Sequence, residues 1–157
     1  MNIEPIEDNI LNFRKHIHTA PALICCWGDT LTHLSSEREV NDLFSHCAEA
    51  LAPGGLLLLS FRDYSTELKN EERFIPVKSE ANRIFTCMLE FSPVFVKVTD
   101  LIYDRIEDNW QLKASSYLKL RLEAEDIKDA LLEQGFTIKS LDLQAGHINI
   151  IAEKSGS

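Results

Sequence analysis

The chain has 157 residues, enough for one globular domain with a buried core. Its apolar fraction of 45% and charged fraction of 26% are ordinary for a globular protein. The net charge of −9 argues against a nucleic-acid partner, because phosphate contacts require clustered lysine and arginine. The acidity instead serves solubility.

The N-terminal residues and the cysteines indicate a cytoplasmic protein. Residues 1–5 have neither the basic region nor the apolar run of a secretory signal. No apolar stretch is long enough to span a bilayer. The cysteines, at positions 25, 26, 47 and 87, match no zinc motif. We therefore expect reduced, mostly buried thiols and no metal site.

The first predicted elements are a helix and a buried strand. Apolar residues from Ile6 to Ile17 share one helical face, and Pro5 suits the first turn of that helix. The segment Ala22 to Trp27 is apolar throughout, which is typical of a strand covered on both faces.

A second helix and strand follow. Ser36 and Glu39 form a capping box ahead of an amphipathic helix. This helix ends at Pro53-Gly54-Gly55, and Leu56 to Ser60 predicts the next strand. A strand, a helix and a strand in this order indicate a parallel pair with a right-handed crossover.

The pattern changes after Tyr64 to that of an antiparallel insertion over residues 65–120. Residues 65–83 are polar with little periodicity, and we expect a loop there. Alternating apolar and polar residues then predict three half-buried strands that begin near Phe85, Val94 and Trp110. The insertion is expected to be a three-stranded lid within a single domain of residues 1–157.

The C-terminal residues predict a helix and a closing hairpin. An acidic first turn around Glu125 suits the positive end of the helix dipole, and Gly135 is expected just past the helix end. The segments Phe136 to Leu143 and His147 to Ala152 then form strands around an Ala145-Gly146 turn.

Polar side chains follow both strands of the predicted parallel pair. Ligands bind at the carboxyl ends of the strands in open α/β sheets, so these residues are the candidate site. Gly28 would let a ligand approach the backbone closely, and the alternative is a plain turn from strand to loop. Asp29 could accept a hydrogen bond from an amine substrate or cap the following turn. His33 could act at the site or serve as a structural hydrogen-bonding group.

The second strand contributes two more candidates. The guanidinium of Arg62 suits a substrate carboxylate, and the alternative is an ion pair with Asp63 or Glu67. Tyr64 could contact the substrate or pack within the lid.

Four segments of the chain resemble the class I S-adenosylmethionine-dependent methyltransferases. They are the segments Gly28 to Leu34, Ala50 to Gly55, Phe61 to Tyr64 and Gln134 to Phe136. The first and third look most like the glycine N-methyltransferase branch. The resemblance implies an α/β fold, with a partial Rossmann-like methyltransferase sheet of the later strands only, an antiparallel β-meander insertion and a C-terminal β-hairpin.

The resemblance covers about Ala22 to Lys154 and matches only the later part of the family's fold. The family's Gly-x-Gly-x-Gly turn and ribose-binding acid come before this part, and neither occurs in the sequence. The resemblance implies S-adenosylmethionine as the cofactor, with Trp27 and Gly28 on the methionine side of the cofactor. Asp29 and His33 are then the candidate catalytic residues.

The resemblance also implies a substrate site formed by Thr30, Arg62 and Tyr64. Arg62 matches an arginine that faces a substrate carboxylate in the glycine-type enzymes, which indicates a small acceptor that bears a carboxylate. Methyl transfer requires mainly orientation and exclusion of water, so strong nucleophiles are not expected.

Three interpretations of the function remain open. The chain is a methyltransferase that lacks the N-terminal cofactor-binding half, a non-catalytic structural or interaction protein that keeps the back half, or a subunit completed by another chain. In the resembled fold the strand Ala22 to Trp27 would have an open edge here. We therefore expect a homo-oligomer or a partner chain that pairs along this edge.

Overall fold

The computed structural model describes residues 3–156. These residues form two compact units. The first unit extends to Arg62 and resumes at Ala124, and the second spans Asp63–Glu123. The bounds of the second unit nearly match those of the predicted insertion, residues 65–120. The assignment of residues 1–157 to one domain stays a prediction.

The described residues contain eight strands and two α-helices. The strands are β1 (Leu23–Cys26), β2 (Leu56–Arg62), β3 (Phe74–Glu80), β4 (Arg83–Phe91), β5 (Phe95–Ile106), β6 (Asn109–Leu120), β7 (Phe136–Gln144) and β8 (His147–Lys154). The helices are α1 (Glu37–Ala50) and α2 (Ala124–Glu133). None of the helices in residues 3–156 is both long enough and apolar enough to cross a bilayer.

The first unit is built on a four-stranded sheet in the order β1-β2-β8-β7. Strands β1 and β2 are parallel, while β8 runs antiparallel to both of its neighbours. The predicted parallel pair and closing hairpin are thus confirmed. Strand β1 has β2 as its only neighbour among the described residues, so its outer edge is open.

Local chemistry explains where α1 begins and where β2 follows it. The Ser36 hydroxyl accepts a hydrogen bond from the Glu39 amide at 3.3 Å, as the capping box predicts. The Glu39 carboxylate in turn accepts from the Ser35 amide at 2.8 Å. Before β2 the chain turns tightly at Gly55, where an added Cβ would lie 2.8 Å from the Ala52 carbonyl oxygen. Only glycine fits this turn.

The sheet of the first unit buries one of its faces. Helix α1 packs on this face, where Leu43, Phe44 and Cys47 line an apolar cavity together with Ile24, Cys26, Leu57 and Leu59. On the opposite face Leu23 is 51% exposed, and Cys25 is also exposed. The expectation that β1 is covered on both faces is wrong for the described residues, because no helix among them packs on the face that carries Leu23.

The predicted helix from Ile6 to Ile17 is shorter and of a different type. The structure has a 3-10 helix over Ile10–His16. The Asn9 side chain accepts a hydrogen bond from the Leu11 amide at 2.9 Å and so fixes the start of the helix at Ile10. Ile6 therefore lies outside the helix and remains half exposed.

The second unit contains a four-stranded antiparallel sheet in the order β3-β4-β5-β6. The predicted three-stranded meander is therefore wrong by one strand, because β3 and a 3-10 helix over Asn70–Arg73 occupy the predicted loop. A bulge between Pro76 and Lys78 shifts the register of β3. The bulge interrupts the alternation of apolar and polar residues that marks a strand in the sequence.

One side chain connects three parts of the second unit. The Arg121 guanidinium donates to the Tyr64 and Ser65 carbonyl oxygens at 3.1 Å each, and to the Ser92 carbonyl oxygen at 2.8 Å. It also pairs with the Glu67 carboxylate at 2.8 Å. Only 13% of the Arg121 side chain is exposed. Arg121 directly follows β6. Its contacts fix both the start of the unit, at Tyr64 and Ser65, and the turn after β4, at Ser92.

Candidate functional site

The loop after β1 is fixed to the carboxyl end of β2 by Asp29. The Asp29 amide donates to the Ser60 carbonyl oxygen at 3.1 Å. The Asp29 carboxylate oxygen Oδ1 accepts from the Arg62 amide at 2.9 Å. Asp29 is buried, with 8% of its surface exposed. Through both bonds Asp29 joins the ends of the two parallel strands to each other. Its contact with an amine substrate stays a prediction.

Thr32 completes this arrangement, and the sequence analysis did not identify it. Its hydroxyl lies 2.8 Å from the Asp29 carbonyl oxygen and 2.9 Å from Asp29 Oδ1, and Thr32 is fully buried. A threonine three residues after an aspartate is a recognised signal for a side-chain-stabilised turn. The sequence contains that signal at Asp29 and Thr32.

Two consecutive residues at this turn have left-handed backbone conformations. Gly28 has a φ of 74° and Asp29 a φ of 75°. Glycine adopts this conformation without cost, and aspartate tolerates it better than most other residues. A Cβ at Gly28 would meet no atom within 4 Å, so the backbone here is open to a ligand.

The other candidates in the first unit lie around the same turn. The Trp27 side chain is 59% exposed. The Thr30 hydroxyl donates to the Trp27 carbonyl oxygen at 3.0 Å. Thr30 and the exposed His33 begin and end a short 3-10 helix, Thr30–His33. The structure thus gathers the candidate residues of the first unit at the carboxyl ends of β1 and β2, namely Trp27, Gly28, Asp29, Thr30, His33 and Arg62.

The side chain of Arg62 is the cation at this site. Its backbone is held by Asp29, while its side chain is exposed and forms no salt bridge within the described part of the first unit. The two carboxylates considered as alternative partners have other contacts. Asp63 accepts from the Ser65 amide at 2.9 Å, and Glu67 pairs with Arg121. The guanidinium is therefore available to an anionic ligand.

Tyr64 has a different environment. It belongs to the second unit, where it is 4% exposed and packs in the core with Leu89, Val96 and Val98. Its ring meets that of Phe91 edge to face, with ring centroids 6.5 Å apart. This supports the packing interpretation of Tyr64, and its contact with a substrate stays a prediction.

Substitution of Asp29 tests its structural role. Asp29→Ala should lower the free energy of unfolding by about 1–3 kcal/mol, because the part-buried Arg62 amide loses its acceptor and the Thr32 hydroxyl keeps only the Asp29 carbonyl oxygen. Asp29→Asn keeps an oxygen acceptor and tolerates the left-handed conformation, so it should retain most of that stability. Urea unfolding of both variants measures the difference. Equal losses in the two variants would show that the carboxylate oxygen does not hold the turn.

Metal ligands do not cluster at this turn or elsewhere in residues 3–156. No group of three or more histidine, cysteine, aspartate or glutamate side chains there could hold a metal ion. The described chemistry of the site consists of an exposed cation, an imidazole, an indole and an open stretch of backbone. Such a set suits binding and orientation of an organic ligand.

Comparisons with solved structures identify the fold. The chain is similar to an S-adenosylmethionine-dependent methyltransferase from Clostridium acetobutylicum, with a TM-score of 0.77 and 16% identity over 95% of this chain and 63% of that one. It is also similar to CalS10, an amino pentose methyltransferase from Micromonospora echinaspora solved with S-adenosylmethionine bound. That match has a TM-score of 0.78 and 12% identity over 94% of this chain and 63% of CalS10.

A sugar N-methyltransferase, KedS8 from a Streptoalloteichus species, gives a similar result. Its TM-score is 0.76 at 14% identity, over 95% of this chain and 61% of KedS8. No family model and no curated protein matches the sequence significantly. The chain has a partial class I methyltransferase fold, as the sequence resemblance implied, and spans about three fifths of the length of these structures. The narrower likeness to glycine N-methyltransferases stays a prediction.

Proposed function

We propose that the chain belongs to an S-adenosylmethionine-dependent methyltransferase that acts on a small acceptor bearing a carboxylate. The single observation that carries the acceptor class is the state of Arg62. Its backbone is fixed by Asp29 at 2.9 Å, while its guanidinium is exposed and without a salt bridge in the described part of its unit. A guanidinium binds a carboxylate through two parallel hydrogen bonds.

The residues after β1 fit one side of the cofactor. Gly28 leaves an open backbone surface, and the exposed indole of Trp27 offers an adjacent apolar surface. When bound, S-adenosylmethionine supplies an electrophilic methyl group on a positively charged sulfur. The contribution of this chain is to bind the methionine side of the cofactor through Trp27 and Gly28.

The other residues of the turn orient the acceptor. Asp29 acts as a positioning residue, because its carboxylate fixes the backbone of Arg62 and the turn at Thr32. In this proposal Thr30 contacts the acceptor, and the exposed imidazole of His33 accepts a proton from its amine.

Cofactor binding by the purified chain should be weak. The sequence has no Gly-x-Gly-x-Gly turn, so only the Trp27 and Gly28 side of the cofactor is bound. Titration with S-adenosylmethionine should shift the nuclear magnetic resonance signals of the Trp27 indole and the Gly28 amide, with a dissociation constant of about 100 μM or more. Low-micromolar affinity would contradict weak binding. Unchanged signals at millimolar cofactor would contradict the proposed contact.

We also propose that the open edge of β1 pairs with a strand of a second copy or of a completing partner chain. Strand β1 has no neighbour beyond it among the described residues, and its four residues are uncharged. Leu23 and Cys25 leave the adjacent sheet face open as well. Unpaired apolar edges recruit other strands, and the predicted edge Ala22 to Trp27 has no charge or internal proline to prevent this.

The cysteines of the first unit provide a probe of this surface. Burial raises the pKa of Cys26 to about 11 and that of Cys47 to about 12. At pH 8 both should therefore remain protonated and react slowly with a disulfide reagent, whereas the exposed Cys25 should react fast. Mass spectrometry of the labelled chain identifies the sites. If a partner covers β1 in the concentrated sample, Cys25 should label slowly there and should label fast after dilution. Fast labelling of Cys26 would refute its buried position.

The free state of the cysteines also supports a cytoplasmic location for the protein. All four are free thiols, although Cys26 and Cys47 line the same cavity. Reduced thiols persist in the cytoplasm, where glutathione and thioredoxin act.

A further inference from the structure

The antiparallel sheet of the second unit has a second apolar face, opposite to its core. Ile84 of β4, Tyr103 of β5 and Leu112 of β6 lie directly across from one another in the register of the sheet. They are 39%, 37% and 52% exposed. The core residues Leu89 and Val98, which are also paired across β4 and β5, point to the other side because side chains alternate along a strand.

The same alternation extends this apolar surface along the sheet. Trp110 and Leu118 lie an even number of residues from Leu112 on β6, and Phe74 pairs with Met88 on the same side of β3 and β4. All three are about half exposed. We call this surface the outer face. It consists of Phe74, Ile84, Tyr103, Trp110, Leu112 and Leu118 with the smaller residues between them.

Charges on the outer face are few and already paired. Lys97 and Glu90 form a salt bridge of 3.1 Å, and Arg105 pairs with Asp108 at 2.7 Å. The two central rows, Ile84-Tyr103-Leu112 and Thr86-Leu101-Ala114, carry no charge. An oppositely charged partner would gain nothing at this surface. A second copy, despite its net charge of −9, would bring no unpaired like charges together in these rows.

The size of the outer face also fits a second copy. Four strands spaced about 4.8 Å apart and about ten residues long present roughly 600 Å² per copy. Two copies would bury about 1,200 Å² in total, which exceeds the ~1,000 Å² expected of a specific interface. Identical sheet faces pack readily at small angles, and a two-fold axis makes such a contact closed.

We infer that the outer face of the second unit is an interface between two copies of this chain, packed sheet against sheet. Leu112 lies in its central uncharged row with Tyr103 and Ile84 beside it. This contact is separate from the open edge of β1, which belongs to the first unit.

Analytical ultracentrifugation of the full chain between 1 and 100 μM tests this inference. The wild-type protein should sediment as a dimer, with twice the 17.9 kDa chain mass, or as a multiple of that dimer where the β1 edge also pairs with a second copy. Leu112→Lys places a charge in the central row and should weaken dimerisation at least about thirtyfold. Leu143→Lys is the matched control. Leu143 is an exposed leucine of β7 in the first unit, and its substitution should leave the dissociation constant unchanged.

Amide hydrogen exchange separates packing of faces from pairing of edges. If the outer faces pack, the amides of β6 that point away from β5 should exchange fast in the dimer, because the edge stays open. Circular dichroism should show the wild-type fold in both variants, since both side chains are exposed. A monomer at 100 μM, a dimer unaffected by Leu112→Lys, or slow exchange of every β6 amide would overturn the inference.

Discussion

Replacing Arg62 with alanine should raise the Michaelis constant of a carboxylate acceptor by about thirtyfold or more. Loss of a desolvated partner from a charge pair costs on the order of 2–5 kcal/mol, and the guanidinium is the only group of the site that we assign to the carboxylate. The Michaelis constant of the cofactor should change little, because the proposed cofactor residues Trp27 and Gly28 are unchanged. Steady-state kinetics of methyl transfer to glycine by an active assembly that contains this chain, with each substrate varied in turn, gives both constants.

Two further variants make this result specific. Arg62→Lys keeps the charge but not the paired donors, so it should recover part of the lost affinity. Arg38→Ala removes an exposed arginine of α1 in the same unit and should leave both constants unchanged. Equal changes in the constants for acceptor and cofactor, or none, would refute the assignment of Arg62 to the acceptor carboxylate.

Replacing Arg121 with methionine should destabilise the second unit by about 2–5 kcal/mol. Methionine keeps an unbranched apolar stem over Phe91, whose ring centroid lies 5.6 Å from the guanidinium carbon. It removes the donors to three carbonyl oxygens and the partner of Glu67. Thermal unfolding followed by near-ultraviolet circular dichroism measures the loss through the aromatic residues of this unit.

Arg105→Met is the matched control for Arg121→Met. Arg105 also pairs with a carboxylate, that of Asp108 at 2.7 Å, but 43% of its side chain is exposed. Exposed pairs contribute about 0–1 kcal/mol, so this variant should unfold close to the wild-type temperature. Similar shifts in the two variants would mean that the carbonyl contacts of Arg121 add nothing to a surface ion pair.

The sequence predicted the central elements of the fold because each has a strong local signal. The apolar run Leu56 to Ser60 after Pro53-Gly54-Gly55 marks β2, and Ser36 marks the start of α1. The closing hairpin depends on Ala145-Gly146, which adopts the two positive φ angles of a tight turn. Such signals depend on a few neighbouring residues, so they are visible without knowledge of the tertiary structure.

Other features depend on contacts that no local pattern records. Strand β3 is mostly exposed and bulged, so its residues lack the alternation that would mark them as a strand. Among the site residues, the polar ends of both strands could be identified from the sequence. The bond between Asp29 and the Arg62 amide could not, because it joins residues 33 positions apart. The core position of Tyr64 likewise depends on strands that follow it in the chain.

The pairing of β2 with β8 has a consequence for the order in which the chain folds during synthesis. Leu57 pairs with Ala152, so the centre of the first sheet cannot close until β8 has left the ribosome. The second unit is one continuous segment, Asp63–Glu123, and all of it has emerged by then. We expect the second unit to fold first. Until β8 is available, the edge of β2 that will pair with β8 stays without a partner. During that interval the nascent protein exposes an apolar strand with an unpaired edge, a state that favours aggregation.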